Sequence, residues 1–314
     1  MVVDEADISG CKYVNTLVGD IEEPETTYLL HCKIIDASPN QQTVIHAVDD
    51  AIRTLQTDRN NFVLLLTDAA RYMTAAGRAL KQLYPRLFHI TCVAHALHNA
   101  AERIRANFED VDMLIAAVKA SVVKNKDRRG KFSAINSPPQ PVVTRWGSWL
   151  KAAEYYAKNF PQVVAIVNAF EGTGQLVVKA KKAVAAESLP RSLREIYQCY
   201  IKLIDEIQRA ESPKYTVAQA YERGYTFDFG SDPAGIQLYL DHRFELNCDL
   251  RAIVEMTRPN ISPELYAKLL NCQATSCNVE RSFSMLNKLL AKDRHFSTQN
   301  VWKYLPIYVN RSLK

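Results

Sequence analysis

The sequence predicts an α/β fold in which a mixed five-stranded sheet, flanked by helices, is interrupted by an all-helical insertion. Apolar and β-branched runs alternate with helical periodicity through residues 1–108, and helical periodicity continues almost alone from about residue 149. Between these zones lies SAINSPPQPVVTRWGSW, residues 133–149, whose clustered prolines favour extended backbone. We therefore predict a sheet-containing part at 1–148, an insertion at 149–264 and a returning helical part at 265–314.

The strands are predicted from short apolar runs. Residues 1–4 are expected to be the end of a short first strand. Residues 11–21 and 26–36 are β-branched and aromatic and flank the turn sequence EEPE, which is typical of a hairpin. Residues 62–70, FVLLLTDAA, are continuously apolar over too short a length for a helix, which indicates a strand buried on both faces. Residues 86–95 give the last strand.

The helices are predicted from 3.6-residue periodicity. They are expected at 41–55, 71–84 and 96–108, then at 149–160, 177–189, 194–210 and 249–257, and finally at 276–292 and 298–310, the last bent near Pro306. The first carries an apolar stripe of Val44, Ala47, Val48, Ala51, Ile52 and Leu55. The stripe of the helix at 276–292 consists of Val279, Phe283, Leu286 and Leu290, and Glu280 borders it.

Composition excludes several classes of protein. With 47% hydrophobic and 23% charged residues the chain is typical of globular proteins, and it offers neither a membrane-spanning run nor a basic, apolar leader. The seven cysteines are odd in number and scattered, which favours free thiols in a reducing compartment. The net charge of +5 does not establish a nucleic-acid partner. Two basic segments, Lys124 to Lys131 and Lys179 to Lys182, are either solvated surface or phosphate contacts.

Acidic residues at strand ends suggest a metal site. Asp68 follows a buried strand at the edge where open α/β sheets present ligand sites, and Asp4 is expected on the neighbouring strand. Neighbouring buried carboxylates favour a divalent cation such as Mg²⁺ between them. The alternative for Asp68 is a turn or helix-capping role, and the alternative for Glu280 is solvated surface.

Five blocks follow one another along the chain: VVDEADISG, LLTDAARYM, CVAHALHNAAE, VTRWGSW and SCNVERSFSMLNKLLAKDRHFSTQNVWKYLPIYVN. In this order they resemble the signature regions of hAT-superfamily transposases and of the host proteins derived from them. This resemblance implies an RNase H-like core in which Asp4, Asp68 and Glu280 bind two metal ions, Mg²⁺ or Mn²⁺, and act as the catalytic residues. The family's N-terminal BED-type zinc finger has no counterpart in the cysteine and histidine spacing of this sequence. The first strand also starts only three residues before Asp4, and we expect it to be clipped.

The resemblance also implies DNA contacts and self-association. It assigns to DNA contact Cys92 and His95 of the Cys-x-x-His element, and Arg145 and Trp146; the alternatives are a helix-start histidine for His95 and core packing for Trp146. The basic residues Lys124, Lys126, Arg128 and Arg129 are DNA-binding candidates because of their charge. The dimerisation positions are Val301, Trp302, Leu305, Tyr308 and Val309. We expect no structural zinc, because Cys92, His95 and His98 lack a fourth ligand.

Two functions are open, and a third, an unrelated RNase H-like nuclease, is opposed by the ordered blocks. The first is a nuclear transposase-like enzyme that cleaves DNA and transfers strands with a bound metal. The second is a catalytically inactive, transposase-derived protein that dimerises and binds DNA or chromatin. Neither involves a membrane.

Overall fold

The computed structural model describes residues 1–142, 147–224, 227–290 and 301–312, without the side chains of residues 301, 302 and 312. The chain forms two compact units. The sheet unit comprises Met1–Ala96, Arg209–Thr226 and Asp241–Lys314, and the helical unit comprises Leu97–Gln208 and Phe227–Leu240. These units divide the chain at positions other than the predicted boundaries 148/149 and 264/265.

A mixed five-stranded sheet lies at the centre of the sheet unit. Its strands are β1 Val2–Ile8, β2 Cys11–Val18, β3 Tyr28–Ile35, β4 Leu64–Thr67 and β5 Phe88–Thr91. Their order is β3-β2-β1-β4-β5. The β1–β2 and β2–β3 pairs are antiparallel, and the β1–β4 and β4–β5 pairs are parallel. The predicted fold class, an α/β fold with a mixed five-stranded sheet and many helices, is therefore confirmed.

Helices occupy much of the remaining described chain. They are α1 Gln41–Leu55, α2 Arg71–Leu83, α3 Val93–Asn107, α4 Glu109–Val122, α5 Lys126–Gly130, α6 Ser148–Asn168, α7 Gln175–Val184, α8 Leu189–Cys199, α9 Lys202–Ala210, α10 Val217–Gly224, α11 Ile236–Leu246, α12 Cys248–Val254, α13 Pro263–Leu270, α14 Cys277–Leu290 and α15 Val301–Ser312. A 3₁₀ helix, Arg59–Asn61, precedes β4.

Strand β1 extends well beyond the predicted segment 1–4. Ser9 and Gly10 have positive φ angles of 56° and 80°, the backbone of a two-residue hairpin turn, and they join β1 directly to β2. Asp4 is therefore the third residue of a seven-residue strand and lies opposite Asn15. The antiparallel ladder with β2 pairs β1 from Val2 to Ile8, so the strand that carries Asp4 is held along its length.

One face of the sheet packs against α1 and α2. The shared core contains Val3, Val14 and Leu65 from the strands, Val44, Ala47, Val48 and Ile52 from α1, and Met73, Ala76 and Leu80 from α2. Helix α1 begins with a capping box between Asn40 and Thr43. Its predicted stripe is buried except for Leu55, which is 43% exposed at the last turn. Strand β4 is buried throughout, as predicted.

Helix α14 packs against β1, β2 and α15. Its predicted stripe is confirmed at Val279, Phe283 and Leu286, whereas Leu289 rather than Leu290 is buried in the last turn. Asn15 Nδ2 donates a hydrogen bond of 2.7 Å to Ser282 Oγ, so a buried polar contact fixes the helix on the sheet.

Helix α15 packs on the outer strand β3 and on α14. Leu305 and Val309, two of the residues expected to dimerise, are fully buried within the chain itself. Because these residues are four apart, they share one helix face, and that face covers the sheet. The expectation that they supply a dimer interface is therefore corrected. Tyr308 is 38% exposed, while the side chains of Val301 and Trp302 lie outside the described residues.

Asparagine side chains close both edges of the sheet. At the β3 edge, Asn310 Oδ1 accepts from Leu29 N at 2.7 Å, and Asn310 Nδ2 donates to Leu29 O at 3.2 Å. At the β5 edge, Asn247 makes the same pair of bonds with Thr91, at 3.1 and 3.0 Å. A primary amide places an N–H donor beside an acceptor oxygen, so it can pair with the N–H and C=O of one strand residue. Each asparagine thus satisfies edge groups that would otherwise be available for pairing with another strand.

Asp249 makes a further side-chain contact with the edge strand β5. Its carboxylate accepts from His89 N at 2.7 Å, from Lys81 Nζ at 2.8 and 2.9 Å, and from Arg258 Nη2 at 2.5 Å. Arg258 also lies 4.0 Å from the centre of the Phe88 ring. The network ties α12 to α2 and to the edge strand.

The helical unit packs α4 against α7, and α6 against α7 and α8. Its buried side chains include Leu114, Val118, Tyr156, Val177 and Leu193. Because α4 packs with α6, α7 and α8, this unit begins well before the predicted insertion at 149.

Candidate metal centre

The structure brings together Asp4, His95 and Glu280 from three separate elements. One possible ligand atom from each, two carboxylate oxygens and one ring nitrogen, lies within 4.8 Å of both others. Two of these residues belong to the predicted trio, and the third is the histidine of the Cys-x-x-His element. All three belong to the sheet unit.

Asp4 is a buried carboxylate, and one of its oxygens has no hydrogen-bond partner. Its side chain projects from β1, and the residue is 3% exposed. Oδ1 accepts from Glu5 N at 2.8 Å, whereas Oδ2 is buried without a hydrogen-bond partner. Burial raises the pKa of Asp4 well above its usual value; the charge of His95 opposes this, and the charges of Glu280 and Asp68 add to it. An unpartnered buried oxygen of this kind is an available cation ligand.

His95 lies in the first turn of α3, directly after β5. Its Nε2 is 3.3 Å from Glu280 Oε1, and its Nδ1 is 3.3 Å from Ser276 Oγ. Burial by itself lowers the pKa of His95, but hydrogen bonds to Cys92 and Glu280 and the charges of Cys92 and Asp4 raise it to about 11. A metal bound at Nε2 would take the place of the proton, so cation binding releases a proton at this position.

Glu280 is held by the start of α14. Its backbone N–H and that of Val279 both bond to Ser276 O, at 3.2 and 3.0 Å. Asn278 Nδ2 donates to Thr27 Oγ1 at 2.9 Å, and Arg281 Nη2 donates to Glu211 O at 2.7 Å. The Glu280 side chain remains 41% exposed, so the group is buried at Asp4 and open at Glu280.

Asp68 lies beside this group without joining it. The parallel pairing of Val2 with Leu66 places Asp68 level with Asp4 on the neighbouring strand. Its Oδ1 accepts from Ala70 N at 3.0 Å, the turn role considered above. Its charge nevertheless reaches Asp4, where it contributes to the raised pKa of that carboxyl group.

Cys92 makes a buried contact between the start of α3 and the segment before α14. It is 1% exposed, and its Sγ accepts from Ser276 N at 3.2 Å. Burial raises the pKa of Cys92, but the hydrogen bond and charge of His95 and the bonds from Ser276 outweigh burial and lower it. The predicted direct DNA contact of Cys92 does not fit this burial. Together with the bond from Val93 N to Ala274 O at 3.1 Å, Cys92 fixes the start of α3 against the segment before α14.

The predicted basic segment lies in the helical unit. Lys124, Lys126 and Arg129 are exposed, and Arg128 is half-buried. Arg128 Nη1 donates to Ser121 O at 3.4 Å and Arg129 Nη2 to Val123 O at 2.5 Å, so both arginines bind carbonyls at the end of α4. Among the described residues, no carboxylate lies within salt-bridge distance of these four cations. Arg145 and Trp146 lie outside the described residues.

The sequence interpretation missed His95 as a possible metal ligand. It considered this residue only for zinc, together with Cys92, and for DNA contact. One signal was present: His95 follows β5, the parallel neighbour of the strand that ends before Asp68, so both lie at the same edge of the sheet.

Comparison of the sequence with protein-family models finds no match, and comparison with curated proteins finds none either. Within the described part of the chain, no helix has the length and apolar character needed to cross a bilayer.

Proposed function

We propose that this chain is a hAT transposase-like protein that cleaves DNA phosphodiester bonds and transfers strands with the help of a bound divalent cation. The observation that carries this proposal is the unpartnered, buried Oδ2 of Asp4 beside His95 and Glu280. The ordered sequence blocks and the RNase H-like strand order support the same family. A DNA substrate makes the nucleus the proposed site of action.

The proposed roles of Asp4, Glu280 and Asp68 follow from their positions and burial. Asp4 and Glu280 hold the cation, and Asp68 supplies a further carboxylate next to Asp4 for a second ion. Mg²⁺ or Mn²⁺ bound here would activate a water or a 3′-hydroxyl and stabilise the leaving oxygen of the phosphodiester. The exposed side of Glu280 leaves room for a DNA backbone to approach.

Cleavage by the purified full chain tests this proposal. We expect divalent-dependent nicking or hairpin formation on duplex DNA, and we expect Glu280→Gln to lower the rate by about 100-fold or more, because a metal ligand is lost. Glu264→Gln, an exposed first-turn glutamate of α13, is the matched control and should cleave like the wild type. Failure of the wild type to cleave DNA with either Mg²⁺ or Mn²⁺ would refute the enzyme proposal.

A second candidate function is a catalytically inactive protein that binds DNA and associates with itself. The His95–Glu280 ion pair favours this candidate, because the imidazolium can replace a cation between the carboxylates. Exposed Tyr304, Ile307 and Tyr308 on α15 give self-association an apolar surface, in place of the buried Leu305 and Val309. DNA binding without cleavage is the result that selects this candidate.

DNA binding through the basic segment is tested by removing its two exposed lysines. In Lys124→Ala/Lys126→Ala, we expect weaker DNA binding and a plot of log K against log salt that is shallower by about 2, because two phosphate contacts are lost. The control is Lys33→Ala/Lys214→Ala, which removes the same charge from exposed lysines that pair with carboxylates. Equal salt slopes for the wild type and the first variant would show that the segment is only solvated surface.

A further inference from the structure

The candidate metal centre has a mixed set of ligand atoms. Two are carboxylate oxygens, and the third is the ring nitrogen of His95. Mg²⁺ is a hard cation that prefers oxygen ligands in near-ideal octahedral geometry. Imidazole suits transition ions such as Zn²⁺ and Fe²⁺, and carboxylates suit Mn²⁺ as well as Mg²⁺. Mn²⁺ is the transition ion of the pair, so it accepts a nitrogen ligand more readily than Mg²⁺ does. The combination therefore discriminates between the two ions that a phosphodiester-cleaving site could use.

His95 is oriented as metal-binding histidines are. Such residues usually engage their second ring nitrogen with an oxygen, which fixes the tautomer and aims the other nitrogen at the ion. Here Nδ1 faces Ser276 Oγ at 3.3 Å, and Nε2 faces Glu280. Ser276 is itself held, because its N–H donates to Cys92 Sγ. Ser276 is thus a positioning residue for His95.

We propose that His95 Nε2 is a metal ligand and that the site consequently selects Mn²⁺ over Mg²⁺. The inference rests on the metal site of the proposed function and adds the identity of the ion. Asp4 supplies the buried oxygen that lacks a partner, Glu280 supplies an oxygen on the open side, and His95 completes a three-sided set. Water or a substrate phosphate completes the coordination on the open side.

Electron paramagnetic resonance of the full chain without DNA tests the inference. Mn²⁺ is titrated into the protein, and Mg²⁺ is then added as competitor; we expect displacement of Mn²⁺ only at roughly tenfold or greater excess of Mg²⁺. Pulsed measurements on bound Mn²⁺ should show coupling to a directly bonded ¹⁴N nucleus. Labelling the wild-type protein with ¹⁵N-histidine should replace that coupling by a ¹⁵N coupling, which identifies histidine without any substitution.

Variants then assign the nitrogen to one residue. His95→Gln should lose the nitrogen coupling, and His242→Gln should keep it, since the side chain of His242 is 63% exposed on α11. Bound Mn²⁺ without nitrogen coupling, or displacement by an equal concentration of Mg²⁺, would overturn the inference. So would the absence of bound Mn²⁺, which is the result if the imidazolium of His95 replaces the cation.

The result is separable from that of the cleavage experiment. Nitrogen coupling in a protein that does not cleave DNA would support the ion assignment and refute the enzyme proposal. Cleavage with Mg²⁺ by a protein that shows no nitrogen coupling would support the enzyme proposal and refute the ion assignment.

Discussion

Asp4→Asn is expected to stabilise the metal-free protein and to abolish its stabilisation by a divalent cation. The wild-type carboxyl group is 3% exposed, leaves Oδ2 unpartnered and lies near Asp68 and Glu280. An amide removes the charge repulsion and can donate to a neighbouring carboxylate. The expected gain in the free energy of unfolding is on the order of 1–3 kcal/mol, the usual cost of an unsatisfied buried polar group.

The pH dependence of stability follows from the raised pKa of Asp4. The folded state holds the Asp4 proton to higher pH than the unfolded state, in which the pKa of the carboxyl group is about 4. Stability of the wild type should therefore fall as pH rises from about 4 through the raised folded pKa. In Asp4→Asn this contribution is absent, and the decline should be smaller.

Thermal unfolding with and without Mn²⁺ measures both effects. At 100 times the dissociation constant, a bound cation should stabilise the wild type by about 2.7 kcal/mol, and Asp4→Asn should gain little. Asp36→Asn, an exposed aspartate after β3, is the control and should behave like the wild type in both conditions. If Asp4→Asn is less stable than the wild type and still responds to Mn²⁺, Asp4 is a structural residue and not a ligand.

Asp249→Ala should be among the most destabilising single substitutions in the sheet unit. The Asp249 side chain is 7% exposed and receives bonds from Lys81, Arg258 and the backbone of His89. Its loss leaves two cations and an edge-strand N–H without their acceptor. Because Lys81 and Arg258 are 34% and 23% exposed, the expected loss lies near the lower end of the range for breaking a buried pair, about 3 kcal/mol.

Urea unfolding of the full chain checks this expectation through the shift in midpoint. Asp249→Asn keeps an acceptor for His89 N but loses the charge, so it should fall between Asp249→Ala and the wild type. Glu255→Ala is the control on the same segment, because Glu255 makes an exposed ion pair with Arg251 at 3.9 Å. Its effect should stay below about 1 kcal/mol. Equal losses of stability for Asp249→Ala and Glu255→Ala would show that the Asp249 network contributes no more than an exposed ion pair.

The fold was largely predictable because its elements carry local signals. The apolar run before Asp68 indicated a buried strand, and α1, whose stripe was predicted, begins at a capping box. Strand β1 was underestimated, because Ser9–Gly10 was not recognised as a hairpin turn. Periodicity found the stripe of Leu305 and Val309 but could not tell whether it faced a second copy or the chain's own sheet.

The candidate site was harder to predict, because it is made of distant residues. Asp4 was suggested by its expected position on the strand beside Asp68, whereas Glu280 was identified as a ligand only through the resemblance. The role of His95 depends on Ser276, 181 positions later in the chain, and on the small distance between Nε2 and Glu280. No spacing rule connects these residues, since only the folded positions of β1, the first turn of α3 and the start of α14 bring them together.

The two asparagines at the sheet edges have a consequence for synthesis of the protein. Asn247 follows Thr91 by 156 residues, and Asn310 follows Leu29 by 281. At about 5–20 residues per second, the ribosome needs on the order of half a minute to reach Asn310 after it has synthesised Leu29 of β3. During that interval the nascent sheet presents open edges to other nascent chains. The protein is therefore expected to need chaperones most while it is being translated, and premature release before residue 310 should yield aggregates.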